Sequence, residues 1–170
     1  MSFHHQFLIV TRPIQKLVRQ IGYKFGFSSK NRLRVLLYHD IPSDEEHNFY
    51  EQLVWLKKNW NIVSPIQFEL MITGKSPIIG NNLMITFDDG FYSNRVVAEN
   101  FLNPLGIKAI FFVVSDFIEI KNQSEARKFI SEFIIPESKI EDIPNHWRNL
   151  QLSDLSALIS QGHTIGHHTK

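Results

Sequence analysis

From residue 34 onward, apolar positions alternate between short unbroken runs and stripes at helical spacing. Val35, Leu36, Leu37 and Tyr38 form a run bounded by His39 and Pro42, which predicts a short buried strand. Phe49, Leu53, Leu56 and Trp60 recur at i, i+4, i+7 and i+11, one face of a helix. Ser64 followed by Pro65 is an N-cap with proline at the first helical position, opening a short helix that Gly74 closes. A second strand is predicted over 83–87. A helix follows over 92–103, with Val97 and Phe101 inward, stopped near Pro104 and Gly106. The run 108–114 is the most apolar strand. Residues 115–146 are less regular and read as an insertion, mixing a helix at 124–134 with charged, proline-punctuated connections. Ser153 caps a last helix bearing Leu155, Leu158 and Ile159, Gly162 ends it, and 163–168 is a closing strand. There is no internal repeat or low-complexity tract.

Near-continuous apolar strands alternating with helices predict an α/β fold, a mostly parallel sheet covered by helices. In such folds functional groups gather at the C-terminal ends of the strands. His39, the Asp88-Asp89 pair and the histidines of 163–168 all take such positions.

The first 34 residues follow another grammar. They hold seven Lys/Arg and no acid, although the formal net charge of the whole 170-residue chain is only +1. Ile14, Leu17, Val18, Ile21 and Phe25 share one helical face after Thr11 and Pro13, with a loop at 26–31. The segment 1–33 is therefore expected as a basic N-terminal piece with an amphipathic helix, and 34–170 as the domain. That helix packs on the domain or, through residues 11–25, lies peripherally on an anionic membrane surface. No run approaches the roughly 18 apolar residues of a spanning helix, and Phe7 to Val10 is shorter than a secretion signal requires. A cytoplasmic location is the default. The near-neutral charge gives no case for a nucleic-acid partner, and oligomeric state is not legible. The absence of cysteine excludes disulfides and thiolate metal sites, so any metal falls to His, Asp or Glu.

Asp88 and Asp89 pose the sharpest question, because two like charges close a buried strand. Gly90 lets the chain turn so that both carboxylates enter one cleft. Two ionised carboxylates that close repel, and a divalent cation relieves the conflict. One Asp can then bind the ion while the other accepts a proton from acidified water. A plain Asp-Gly turn, with one Asp capping the next helix, is the bland alternative. A phosphoacceptor pocket of the response-regulator kind is another, with Asp116 as its further aspartate. Three histidines in 163–168 favour the metal, since Asp with two His suits Zn2+ and leaves a position for water.

The segments "ITFDDGFYSN", "LGIKAIFFVV" and "LISQGHTIGHHT", with "VLLYHDI" ahead of them, resemble in order the polysaccharide deacetylases, the NodB-homology family of carbohydrate esterases. The resemblance covers 34–170. It implies a partial distorted (β/α) barrel, truncated at its C-terminus, and metal-dependent hydrolysis of N-acetyl (or O-acetyl) groups on an acetylated glycan. It also implies Asp88 as catalytic base, Asp89 and His168 as ligands of a divalent ion, most simply Zn2+, and His39, Phe91 and Tyr92 on the substrate side. A second frame of the histidine motif gives His163 and His167 as alternative ligands. With His168 as the first histidine, the second falls two residues beyond Lys170, and the general acid further downstream. The competing expectation is a catalytically impaired, glycan-binding remnant of the same fold.

Overall fold

The computed structural model describes residues 31–136 and 138–168. The basic helix expected over 11–25, with its membrane contact, lies outside them, whereas the boundary expected at 33 falls within the first strand. Strand β1 spans Arg32–Tyr38, helix α1 Glu46–Asn59, β2 Asn61–Ile62, α2 Pro65–Ile72 and β3 Asn81–Phe87. Helix α3 covers Ser93–Val97, β4 Ile110–Val114, α4 Ser115–Glu119, α5 Gln123–Phe129, α6 Leu152–Ser160 and β5 Thr164–His168. Among the described residues no helix is long and apolar enough to cross a membrane.

All strand pairings are parallel, in the order β1-β3-β4-β5. β3 pairs with β1 along its whole length, from Arg32 opposite Asn81 to Tyr38 opposite Phe87. Its other edge is shared, with β2 at Asn82 and Leu83 and β4 at Thr86 and Phe87. Such a sheet brings the C-terminal ends of β1, β3, β4 and β5 to one side. Among the described residues β1 and β5 are its two open edges.

Six of the seven β3 residues are buried, which accounts for the unbroken apolar run. Phe87 is fully buried and stacks on Phe111 at 5.0 Å and Tyr38 at 5.4 Å between ring centroids. α1 presses Phe49, Leu53 and Leu56 onto this layer, as its periodicity predicts. Ser64 forms the expected cap of α2, with Gln67 returning the hydrogen bond to the Ser64 backbone.

Several boundaries differ from the sequence reading, each for a local reason. β1 and β3 begin earlier than their apolar runs, because Arg32 and Asn81 pair through the backbone whatever their side chains. The helix expected over 92–103 is α only to Val97, and Asn103 N–H then reaches Ala98 in a π-type turn. The helix expected over 124–134 changes in the same way, with Ile135 N–H donating to Ile130. Ser153 is not the cap of α6. Gln151 is, and Asp154 accepts from its backbone N–H at 2.7 Å.

Candidate active site

Three parallel strands deliver the polar residues that end their apolar runs. His39 follows β1, Asp88 and Asp89 follow β3, and His168 ends β5. Asp88 N–H donates to Tyr38 O at 2.9 Å, continuing the β1–β3 ladder one residue past the strand. The chain then turns sharply. Asp89 has φ 71°, the one non-glycine with positive φ among the described residues, and Gly90 N–H donates back to Asp88 O at 2.9 Å. This is the rare γ-turn form, whose central residue is strained. Strand alternation would send neighbouring side chains to opposite faces, and the turn cancels it at this point.

The turn is clamped from both sides. Val114 N–H donates to Asp89 O at 3.3 Å, and Leu150 N–H to Gly90 O at 2.8 Å. A Cβ on Gly90 would lie 2.9 Å from Ile118 Cδ1 and 3.2 Å from Val113 Cγ1. Asn94, fully buried at the start of α3, donates from Nδ2 to His39 O at 2.7 Å. Beside it Ser93 Oγ donates to Asp40 Oδ1 at 2.6 Å. The segment after β3 thus fixes both its own carboxylates and the loop that carries His39.

Asp89 and His168 together border two cavities, one of about 380 Å3 that includes His39, Asp40, Phe91 and Trp147, and one of about 410 Å3. His168 Nε2 lies 3.3 Å from Asp88 Oδ2, while Asp88 Oδ1 is buried without a hydrogen-bond partner. Burial pushes the Asp89 carboxyl above its ordinary range; His39 and His168 oppose that shift and Asp88 adds to it. A buried carboxylate oxygen without a partner, a second carboxyl whose pKa burial raises and two imidazoles are donors of the kind a divalent cation takes. Among the described residues no group of three or more His, Cys, Asp or Glu is arranged to hold a metal ion.

The other expected residues divide. Phe91 walls the His39 cavity but is only 2% exposed, packed on Phe117 and Trp147. Tyr92 borders neither cavity at Asp89, and the Arg148 guanidinium covers its ring at 3.6 Å. The alternative pair His163 and His167 does not converge. Four residues of extended chain separate them by roughly 13 Å. His167 is exposed on the opposite face of β5 from His168.

His163 precedes β5, at the far end from the cleft, with both ring nitrogens engaged. Nδ1 accepts from Ala109 N–H at 3.1 Å, and Nε2 sits 3.1 Å from Asn103 Oδ1. Burial, with Lys108 nearby, lowers its pKa to about 4. Below the usual histidine range the unfolded chain therefore takes up a proton that the folded chain refuses. Stability should fall as the pH drops from about 6.5 to about 4, and His163→Gln should flatten that dependence in urea unfolding followed across the same interval.

The sequence reading missed most of the walls of the cleft: Phe129, Phe133, Ile134 and Ile135 from the irregular segment after β4, and Trp147 just beyond it. His39, expected on the substrate side, stands in the same cavity as Asp89 and His168.

No family model matches the sequence. A Bacillus subtilis (strain 168) protein named "Putative polysaccharide deacetylase YxkH" is 30% identical over 97 residues, covering 54% of this chain and 35% of that protein. Among solved structures, IcaB from Ammonifex degensii matches with a TM-score of 0.63 at 23% identity, over 81% of this chain and 53% of that one. A de-N-acetylase from Aggregatibacter actinomycetemcomitans matches with a TM-score of 0.58 at 18% identity, over 80% and 54%. The chain spans about a third of the length of the curated relative and about half that of the solved ones. Likeness of sequence to a protein named as a polysaccharide deacetylase and likeness of fold to IcaB and a de-N-acetylase point the same way over the part that this chain spans.

Proposed function

We propose that the domain is a metal-dependent hydrolase that removes acetyl groups from an N-acetylated polysaccharide, with O-acetyl esters as the lesser alternative. The observation that carries this reading is the γ-turn that sets two carboxylates beside one imidazole from β5, with a second from β1 in the same cavity. Asp89 and His168 would hold a divalent ion, Zn2+ by its preference for mixed nitrogen and oxygen donors. When bound, that ion polarises the acyl carbonyl and lowers the pKa of water towards ~7.

The remaining work belongs to the chain. Asp88, whose Oδ2 lies 3.3 Å from His168 Nε2, accepts the proton of the attacking water. Attack gives a tetrahedral oxyanion. Its collapse needs a proton on the departing nitrogen, and His39, exposed to the cleft, is placed to give it. Asn94 keeps His39 at that position through its backbone carbonyl. The products are acetate and a free amino sugar.

Acetate release from N-acetylglucosamine oligomers tests the reading. The purified chain stripped with chelator should be inactive, and Zn2+, Co2+ or Mn2+ should restore release. No release with any ion would overturn the proposal and favour a glycan-binding remnant.

A further inference from the structure

The second cavity at Asp89 and His168 differs from the one that contains His39. It encloses about 410 Å3 between Val114, Phe129, Phe133 and Ile134, and Asp116 is its one further charged residue among the described residues. Among the described residues no lysine or arginine lines it. Phe133 leans on Phe129, with ring centroids 4.9 Å apart, yet stays 67% exposed at the rim. A large aromatic left this open beside a cavity offers a face to a ligand. Asp116 is exposed, with no hydrogen-bond or ion-pair partner among the described residues. Its place in the first turn of α4 accounts for an acid there, but not for its facing the same cavity as Asp89.

We propose that this lobe binds the hexosamine next to the one being deacetylated and selects a residue that already carries a free amino group. The inference rests on the deacetylase reading for what lies beside it, and on the lobe itself for its preference. The volume accommodates a pyranose ring. An ammonium group there meets a carboxylate and an aromatic face, the two groups that attract a cation most directly. An acetamide in the same place is neutral and gains little from either. Deacetylation of one residue would then favour attack on its neighbour, and free amines would accumulate in blocks along the polymer.

Calorimetric titration of the full chain tests this, with glucosamine trimer compared to N-acetylglucosamine trimer in an Asp88→Asn background that prevents turnover. The free-amine trimer should bind about fivefold more tightly at low salt, the scale of one partly exposed ion pair. Asp116→Asn should remove that advantage, as should high salt, and Phe133→Ala should weaken both trimers. Equal affinities, an advantage that survives Asp116→Asn, or binding of neither trimer would overturn the inference. The two readings fail separately. Acetate release without a preference for the free amine sinks the lobe alone, whereas the preference without acetate release upholds the lobe and sinks the deacetylase.

Discussion

Replacing Asp88 with asparagine should lower turnover by about 10²–10⁴-fold, the usual worth of a general base, and leave the bound divalent ion in place. Asparagine keeps the shape of the side chain and one acceptor oxygen for His168 Nε2, now 3.3 Å from Asp88 Oδ2. It cannot accept the proton of an attacking water. The amide nitrogen would sit where Oδ1 is buried without a partner, so unfolding should be measured beside kcat to separate lost chemistry from lost structure. Asp89→Ala and His168→Ala should behave differently, with ion content and kcat falling together. Metal analysis of the three purified variants decides the division of labour. An Asp88→Asn protein that loses its ion, or an Asp89→Ala protein that keeps it, reverses the assigned roles.

What could be read before the fold was known follows from where its cause lies. His39, Asp88, Asp89 and His168 were legible because each interrupts or ends an apolar run, and parallel strands carry such ends to one side. The register is not written locally, yet it decides the histidines. Val114 opposite His168 brings that ring to the cleft, while His163, similar in sequence context, ends inside a hydrogen-bonded socket at the other end of the strand. The π-type turns after α3 and α5 were hidden, because widening one turn keeps nearly the same apolar face. β2 is two residues long and carries no periodicity. The walls of the cleft depend on residues 115–150 folding back over β3 and β4, through contacts such as Tyr92 N–H to Arg148 O at 2.9 Å. Phe133 therefore became a candidate, and Asp116 a neighbour of this cleft, only once that return was seen. The strained φ of Asp89 was half legible, since Asp-Gly announces a turn but not which of its two residues takes the positive φ.

That strained turn yields the other large effect, because Gly90→Ala should damage stability and activity together. Gly90 has φ 89°, a value that L side chains rarely adopt. Holding alanine there costs about 1–3 kcal/mol. A methyl 2.9 Å from Ile118 Cδ1 and 3.2 Å from Val113 Cγ1 adds an overpacking cost of similar size, about 1–3 kcal/mol. Ile118 and Val113 are buried, so the strain is relieved most readily by displacing the turn, which moves Asp89 and with it the carboxylate proposed to hold the ion. The two costs separate in a double-mutant cycle. Ile118→Val alone removes Cδ1 from the core and should cost about 0.5–1.5 kcal/mol. In the Gly90→Ala background the same change removes the clashing atom, so it should cost less or stabilise the protein. Urea unfolding midpoints at constant m-value measure the coupling, and acetate release from the same four proteins shows whether Asp89 returns to its place. Simple additivity would mean that the strain is dihedral alone. Full activity in Gly90→Ala would mean that the two carboxylates do not depend on this turn for their meeting, and the account of why Asp88 and Asp89 stand together would fail with it.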